Sequence, residues 1–416
     1  MGYSKDRSEK SLRRDNMKIL YLLGPVPSSL NDYRGIYTLK RIEKLREINV
    51  DIYPIAITVK KSFVEKFFAK DEDVYKEKVN FLKSVNIDSL IVNSYSLDFL
   101  IKILSNKAFY DLRHRRIIKK ILKIIPKDFD LIHAHSVLSA GLLSRILSRI
   151  LEKPYIVTAH GDDIHNYPFK NQVLKEITLE VLENSYKNIF VSRGLLEKSK
   201  EFGFEGKNSI IIPNGYDPKI FYPIDKEKIR KELGIYKRNY KYVGFVGNLI
   251  PVKRADKLPE IFEMITKKYK NIVFIIVGDG YLKEEVEKEM SQKNLSYIFT
   301  GKLLQKDVAK WMNAMDVMVL PSRNEGWPCV VLEAQACGTC VLGSSNGGIS
   351  EAIGFPEYIV EEGKNFEERF AKKVIEILEK GYNREQLLKR AKEYTWDNIV
   401  KKEIEIYEGL RYETIK

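Results

Sequence analysis

Cysteine is scarce in this chain, and long apolar runs are missing. Three cysteines among 416 residues give no disulfide framework, so a reducing cytoplasm is the expected compartment. Cys337 and Cys340 have CxxC spacing, but they follow a predicted helix C-terminus, where no helix dipole lowers a thiol pKa. No window approaches the ~18 consecutive apolar residues of a membrane-spanning helix. We therefore expect neither redox chemistry nor a transmembrane segment.

Several functional motifs are also missing. There is no Walker sequence GxxxxGK[ST], so an ATPase is not supported, and there is no RNA-recognition motif. Residues 71–73 match a DxD metal-binding pattern, but they lie in the charged run KDEDVYKEK, which is typical of a solvated helix face. Residues 1–16 lack the apolar segment of a secretory signal, and we interpret them as a disordered arm.

The chain has enough length and apolar content for two domains. Single cores stop growing beyond ~250–300 residues, and 44% of this chain is hydrophobic. A Gly- and Pro-containing break at 214–218 suggests a boundary. We predict an N-terminal domain at 17–217, a second domain at 218–390, and a C-terminal helix at 391–416 that packs back across the domain junction.

Positive charge is concentrated in the N-terminal half. The formal charge is +14, and residues 1–217 hold 37 Lys and Arg against 27 Asp and Glu, a balance of +10. Residues 102–127 include nine basic residues and one acid, interleaved with apolar ones. Two interpretations are open, an exposed basic helix or a helix that docks on an anionic membrane surface. A specific nucleic-acid site is a weaker alternative, because no recognition motif accompanies the charge.

Short apolar runs recur along both halves of the chain. Runs bounded by turn residues predict buried strands, and the amphipathic stretches between them predict helices. This alternation predicts an α/β fold with doubly wound parallel sheets, in which ligands bind at the carboxyl ends of the strands. The predicted strands are 18–23, 50–57, 129–134, 154–159, 188–192 and 209–213 in the first half, and 242–246, 272–277, 297–300, 316–320 and 340–342 in the second.

Histidines and acids follow two strands of the first half. His133 and His135 lie at the end of one strand, and His160 and Asp162 follow the next. Such residues could ligate zinc, but the chain has no HExxH or comparable spacing. Polar groups that line a cleft are the preferred interpretation.

Two glutamates follow a strand of the second half. Glu325 lies in the loop, and Glu333 stands eight residues later, about one turn into a helix that Pro328 opens. Carboxylates beside a helix N-terminus suit a ligand with many hydroxyl groups, such as a sugar or a ribose. A solvated loop acid and a surface helix residue are the alternative interpretation.

Motifs along most of the chain from Met17 resemble one enzyme family. They are TAHGDD, IIPNGYDPKIFYP, VGNLIPVK, VGDG, and EGWPCVVLEAQACG followed by GG. Together they resemble the retaining GT-B glycosyltransferases of family 4, the group 1 type, which transfer sugars from nucleotide donors. The resemblance implies two Rossmann-like domains whose parallel sheets face each other across a cleft. It is greatest for members that build envelope polysaccharides and glycolipids.

The resemblance also implies roles for residues that match the family motifs. Glu325 and His160 are implied at the donor sugar and Lys253 at the diphosphate, and we take these three as the expected catalytic residues. Glu333 is implied on the ribose. The further implied donor-binding residues are Gly35, Gly247, Asn248, Arg254, Gly278, Gly301, Leu303, Gly326, Trp327 and Cys329.

One position departs from the family pattern. The family usually has arginine five residues before the lysine, where this chain has Asn248. Arg254 directly follows Lys253 and offers a replacement charge, although its side chain would leave the backbone at a different angle. An uncompensated loss of a charge-assisted donor costs ~1.5–3 kcal/mol.

The resemblance implies a metal-independent retaining glycosyltransferase without cofactors. We expect it to use a UDP- or GDP-sugar and a lipid-linked or envelope saccharide acceptor, with Asp162 or His135 orienting the acceptor hydroxyl. The expected location is cytoplasmic, with region 102–127 docking the protein on the inner face of the membrane. A non-catalytic, membrane-associated nucleotide-sugar-binding partner is one alternative, motivated by Asn248. A phosphorylase or sugar-nucleotide epimerase on the same fold is another.

Overall fold

A computed structural model of the protein describes residues 17–24, 26–27, 29, 35–61, 72–94 and 117–414. Within these residues, parallel strands form two sheets, one in each half of the chain. The first sheet contains β1 (Lys18–Leu23), β2 (Asp51–Lys61), β3 (Asp88–Ser94), β4 (Leu131–His135), β5 (Tyr155–Ala159), β6 (Lys187–Phe190) and β7 (Ser209–Ile211). The second contains β8 (Lys241–Val246), β9 (Ile272–Val277), β10 (Tyr297–Gly301), β11 (Val317–Leu320), β12 (Cys340–Ser344) and β13 (Ile359–Val360).

Each sheet has a topological switch point, where the strand order reverses direction. The first sheet has the order β3-β2-β1-β4-β5-β6-β7, and the second has the order β10-β9-β8-β11-β12-β13. The loops after β1 and β4, and after β8 and β11, therefore diverge and leave a crevice at the carboxyl ends of the strands. This arrangement confirms the predicted α/β fold of two Rossmann-like domains.

Helices cover both faces of the sheets, so strands such as β9 (IVFIIV) are buried on both sides. Asn171 and Ser192 begin two of the helices, because their side chains accept backbone N–H groups of the first turn. The helices are α1 (Ile36–Glu47), α2 (Glu72–Ser84), α3 (117–124), α4 (Leu142–Leu151), α5 (Asp162–His165), α6 (Gln172–Glu183), α7 (Arg193–Lys200), α8 (Lys226–Glu232), α9 (Leu258–Thr266), α10 (Lys283–Gln292), α11 (Gln305–Ala314), α12 (Cys329–Ala336), α13 (Ile349–Ile353), α14 (Phe366–Lys380), α15 (Arg384–Lys392) and α16 (Trp396–Thr414).

The last helix, α16, returns to the N-terminal domain. Trp396, Ile399, Val400 and Tyr407 lie on one helical face and pack in the same buried cluster as residues of β1. This packing confirms the predicted return of the C-terminal helix across the domain junction.

Three predictions fall wholly or partly outside the described residues, namely the arm 1–16, the DxD pattern at 71–73 and the basic region 102–127. The described part of that region includes α3, which buries Ile117, Ile118 and Ile121 and exposes lysines at 119, 120 and 123. Among the described residues, no helix is both long enough and apolar enough to cross a bilayer. The same residues contain no cluster of three or more His, Cys, Asp or Glu side chains arranged to hold a metal ion.

Candidate functional site

The two domains meet where two glycine loops approach each other. Gly161 follows β5, and Gly326 follows β11. A Cβ atom added to Gly326 would lie 2.2 Å from the carbonyl oxygen of His160, so only glycine permits this approach. The predicted site residues His160 and Glu325 therefore border one interdomain crevice.

Lys253 and Glu325 form an ion pair in this crevice. Glu325 lies in the loop after β11, and Lys253 ends the 3-10 turn Pro251–Lys253 in the loop after β8. The two side chains are 20% and 12% exposed. A mostly buried ammonium group at the end of β8 is suited to bind a phosphate, and the pairing with Glu325 holds it in place.

The helix α12 begins at the edge of the crevice. It starts at Cys329. Pro328, which we predicted as the first helical residue, is instead the residue directly before the helix. The first N–H groups of a helix have no intrahelical partner and carry partial positive charge. The Trp327 side chain is buried, and its Nε1–H donates to the carbonyl oxygen of Asn214 at 3.0 Å. This bond ties the loop before α12 to the segment that links the domains.

Glu333 is the fifth residue of α12. Burial of its carboxyl group raises the pKa of Glu333 to about 7. Hydroxyl groups that donate to this carboxyl would favour its ionised form. Any diol that binds this carboxyl would therefore also shift its proton equilibrium.

We expect the affinity for a nucleotide sugar to fall as the pH drops below about 7. The Glu333 carboxyl, with its pKa of about 7, is ionised above that pH and protonated below it. Below that pH, binding that requires the carboxylate must first remove a proton. The affinity then falls about tenfold for each pH unit. Calorimetric titration between about pH 5.5 and 8.5 measures this slope, and the diphosphate diester of a nucleotide sugar does not titrate in that range. Glu333→Gln should bind more weakly and without the slope, and an unchanged slope in this variant would contradict the assignment.

Glycine loops close the C-terminal side of the crevice. Gly247 follows β8, Gly278 follows β9, and Gly301 ends β10. Gly278 has φ +134°, and its N–H donates to the carbonyl oxygen of Gly301 at 3.0 Å. A Cβ atom added to Gly278 would lie 2.0 Å from the carbonyl oxygen of Gly247. The structure thus brings these three predicted residues together, and Leu303 lies two residues beyond Gly301.

The N-terminal side of the crevice includes an aromatic residue that sequence reasoning missed. Gly35 precedes α1 with φ +71°, and Tyr37 lies in the first turn of that helix. The Tyr37 ring stacks on the ring of His160, with centroids 4.2 Å apart. Tyr37 could have been suspected because it directly follows the predicted glycine loop. Its spacing, however, does not distinguish it from the other residues of α1.

The two residues expected to orient the acceptor lie in different environments. His135 is 1% exposed and lies beneath His160, with 2.9 Å between its Nδ1 and the Nε2 of His160. The predicted role of His135 in orienting the acceptor hydroxyl stays a prediction, and His160 lies between it and the crevice. Asp162 is exposed, and its carboxylate accepts a hydrogen bond from Asn166 at 2.6 Å. Asp162 therefore remains accessible to a ligand.

Asp163 is a buried carboxylate that fixes the loop carrying His160. It accepts backbone N–H groups of Val137 at 3.0 Å, His160 at 3.2 Å and Gly161 at 2.9 Å. Burial raises the pKa of Asp163, and these backbone hydrogen bonds oppose the shift. Sequence reasoning noted the acid but did not assign it this role, because its partners belong to two separate loops.

Arg254 is held by two side chains of the C-terminal domain. Its guanidinium lies 3.9 Å from the centroid of the Phe366 ring and pairs with Glu362 at 2.9 Å. The side chain is buried there, so the structure does not show Arg254 free to bind the diphosphate, and that role stays a prediction. Asn248, at the position of the family arginine, is exposed. Lys253 is thus the cation that the described residues bring to Glu325.

The cysteine thiols are free and unsuited to redox chemistry. Burial raises the pKa of Cys329 to about 12, and it also raises the pKa of Cys337 and of Cys340. Thiolates are the reactive species, so these residues remain inert at neutral pH.

Two family models match consecutive parts of the chain. The Glycosyltransferase Family 4 model matches residues 88–220, and the Glycosyl transferases group 1 model matches residues 225–394. The boundary between the two matches lies between β7 and β8, where one sheet ends and the other begins.

Curated relatives and solved structures point in the same direction. The chain is 27% identical over 363 residues to the putative teichuronic acid biosynthesis glycosyltransferase TuaC of Bacillus subtilis, covering 84% of this chain and 86% of the relative. It is 30% identical over 245 residues to a UDP-Gal:alpha-D-GlcNAc-diphosphoundecaprenol alpha-1,3-galactosyltransferase of Escherichia coli, covering 55% and 61%. The crystal structure of Anabaena Alr3699/HepE in complex with UDP matches with a TM-score of 0.71 at 17% identity, covering 94% of this chain and 100% of that one. The likeness to HepE shows the fold, and the sequence matches show the family. The chain belongs to the group 1, family 4 glycosyltransferases and has their GT-B fold.

Proposed function

We propose that the protein is a retaining glycosyltransferase that needs neither a metal ion nor a cofactor. It would move a sugar from a UDP- or GDP-sugar to a lipid-linked or envelope saccharide. The observation that carries the proposal is the Lys253–Glu325 ion pair. An ammonium group beside a carboxylate at the crevice between the two domains supports binding of the diphosphate by Lys253 and of the donor sugar by Glu325.

The main chemical demand is stabilisation of the leaving group. Breaking the glycosidic bond leaves developing negative charge on the nucleoside diphosphate. The ammonium group of Lys253 and the free N–H groups at the start of α12 supply positive charge that is already in place. Because the protein itself provides these groups, we propose no metal ion for this step.

For retention we propose front-side attack through an oxocarbenium-like state. The bond between the sugar and the diphosphate breaks, the acceptor oxygen attacks from the same face, and a diphosphate oxygen takes the acceptor proton. Burial lowers the pKa of His160 well below its usual value. His160 is therefore neutral, and its role would be to hydrogen-bond a hydroxyl group of the donor sugar.

A surface cavity lined by residues from Asp162 onward supports a saccharide acceptor. Its volume is about 310 Å³, at the lower end of ligand sites. A carboxylate, an amide and an imidazole can bind sugar hydroxyls there, and two aromatic rings offer apolar faces. The lining residues are Asp162, His165, Asn166, Tyr167, Phe169 and Lys170. We propose that this cavity receives the terminal sugar of the acceptor.

The charge near the cavity suits an acceptor that carries an anion. The ammonium of Lys170 lies 4.4 Å from the centroid of the Tyr167 ring, and that of Lys198 lies 4.6 Å from the centroid of the Phe169 ring. Relatives in Escherichia coli and Campylobacter jejuni are named for acceptors linked to diphosphoundecaprenol. We propose a similar class of acceptor here, with the protein in the cytoplasm and region 102–127 on the inner face of the membrane.

The proposed activity is tested by nucleotide release. The wild-type protein, given UDP- and GDP-sugars and a membrane extract, should release the nucleotide, and Glu325→Ala should not. Glu362→Ala is the matched control, because Glu362 pairs with Arg254 rather than with Lys253. Equal release by wild type and Glu325→Ala would contradict the site assignment.

We expect Phe169→Ala to weaken acceptor binding without affecting the donor. An aromatic contact contributes ~0.5–1.5 kcal/mol, so the acceptor KM should rise about 3–10-fold. Phe169 is 47% exposed, which keeps the stability cost small. The assay uses a polyprenyl-diphosphate-linked N-acetylglucosamine, and hydrolysis of the donor without acceptor serves as the second readout. Tyr236→Ala, at another exposed aromatic residue, should change neither value, and a raised donor KM in Phe169→Ala would contradict the acceptor assignment.

A non-catalytic nucleotide-sugar-binding partner is the second candidate, and Asn248 in place of arginine favours it. A thermal-shift screen of UDP, GDP and ADP distinguishes the two when it is combined with the release assay. A true ligand at 100 times its dissociation constant stabilises the protein by about 2.7 kcal/mol. Binding without turnover across a broad acceptor panel would favour this second candidate.

A further inference from the structure

A stack of rings descends from the crevice into the N-terminal domain. His160 stacks below Tyr37, with His135 and then His133 beneath it. The ring centroids are 5.2 Å apart for His160 and His135, and 4.6 Å apart for His135 and His133. His133 and His135 are two residues apart on β4, so both side chains point to the same face of the sheet. The proposed reaction uses His160 and leaves the two deeper histidines without a role.

The C-terminal helix holds the lower end of this stack. The Nδ1 of His133 lies 2.6 Å from the Tyr407 hydroxyl, and its Nε2 lies 2.8 Å from the Thr158 hydroxyl. The Tyr407 hydroxyl also lies 3.4 Å from the carboxylate of Glu403, which pairs with Arg41. Hydroxyl groups therefore occupy both ring nitrogens of His133 and fix the plane of its ring.

The upper histidines form a pair of their own. The Nδ1 of His135 and the Nε2 of His160 are 2.9 Å apart. Burial lowers the pKa of both residues well below the usual histidine value, so two neutral rings share one proton at this contact. The Nδ1 of His160 is buried and makes no hydrogen bond to the part of the chain that the structure describes. The Nε2 of His135 is also buried and without a hydrogen bond to the described residues. The His160 ring stacks between Tyr37 and His135, so its Nδ1 is the one nearer the crevice for a substrate hydroxyl.

We propose that His135 is a positioning residue for the sugar transfer. By holding the Nε2 of His160, it fixes the ring plane and tautomer in which His160 presents Nδ1 to the donor sugar. The consequence for turnover rests on the proposed function, whereas the fixed tautomer does not. His135 would act through His160 and would not touch the substrate.

Two substitutions separate the hydrogen bond from the space that the ring fills. In His135→Asn, the side-chain amide can occupy the place of the imidazole Nδ1 and keep the bond to His160. In His135→Phe, a ring fills the space but offers no hydrogen-bonding atom. We expect His160 in His135→Phe to populate both neutral tautomers. The kcat should fall about 10²-fold, the usual effect of a small misplacement in an active site. The donor KM should stay within about threefold of the wild-type value. His135→Asn should restore a single tautomer and most of kcat.

The tautomer is read by NMR of the full chain labelled with ¹⁵N-histidine, since the chain has five histidines. Tyr407→Phe is the matched control, because it removes the hydroxyl that binds His133 and leaves the contact between His135 and His160. It should lower Tm but change neither the His160 tautomer nor kcat. Either of two results would overturn the proposal. One is a single His160 tautomer in His135→Phe, and the other is a folded His135→Asn whose kcat is as low as that of His135→Phe. If the His160 tautomer shifts as expected but the wild type transfers no sugar, the proposed function fails, and only the effect of His135 on the His160 tautomer stands.

Discussion

Lys253→Met is expected to lower kcat for sugar transfer by about 10²–10³-fold, the usual effect of removing one preorganised stabiliser of developing charge. Methionine keeps most of the length of the lysine side chain and removes its charge. The neighbouring cations are already paired, since Arg254 is held by Glu362 and Phe366, and Arg323 pairs with Asp256. Asn248 is uncharged. Nucleotide release at saturating donor and acceptor measures the effect.

The neighbouring cation is the matched control for this prediction. Arg254→Met should leave kcat within about threefold and should lower Tm, because it removes a buried stack on Phe366. Adding Asn248→Arg to Lys253→Met should recover part of kcat, since it restores a cation at the family position. If Arg254→Met loses as much activity as Lys253→Met, the diphosphate lies elsewhere. An unaltered kcat in Lys253→Met would likewise show that the diphosphate lies elsewhere.

The elements that sequence reasoning placed well are those with continuous apolar runs. β1 and β9 have the predicted bounds, because KILYLL and IVFIIV are buried on both faces of their sheets. The strand β3, Asp88–Ser94, was missed. Its sequence DSLIVNS mixes polar residues into the run, and it lies at the edge of the first sheet.

Within the site, sequence predicts which residues gather at the strand ends but not their depth or direction. Glu325 and Lys253 meet because the carboxyl ends of β8 and β11 share one rim of the second sheet. The His160 backbone approaches Gly326 from the first sheet. The orientation of Arg254 depends on Glu362, which is 108 residues away along the chain. The depth of His135 depends on the stack beneath it, which Tyr407 of α16 closes, 274 residues beyond His133. Such long-range contacts leave no periodic signal in a single sequence.

Glu403→Gln is expected to destabilise the protein by about 3–5 kcal/mol, because it leaves the charge of Arg41 buried without its partner. Both side chains are 0% exposed, and their closest nitrogen and oxygen atoms are 2.5 Å apart. Thermal unfolding should show this loss as a Tm lower by about 10 °C, at ~2–4 °C per kcal/mol for domains of this size. The double variant Arg41→Met with Glu403→Met removes both charges and should be less destabilised than Glu403→Gln alone.

An exposed ion pair provides the contrast. Lys231 and Glu227 are 58% and 55% exposed, so Lys231→Met should change the free energy of unfolding by less than about 1 kcal/mol. Arg41 also donates to the carbonyl oxygen of Pro213 and to the side-chain oxygen of Asn214, both at 3.2 Å. The backbone oxygen of that same Asn214 accepts the Trp327 indole N–H from the loop before α12. Loss of the ion pair should therefore lower the affinity for a nucleotide sugar as well as the stability of the N-terminal domain. A Glu403→Gln variant with wild-type Tm would show instead that the carboxyl group is neutral in the folded protein.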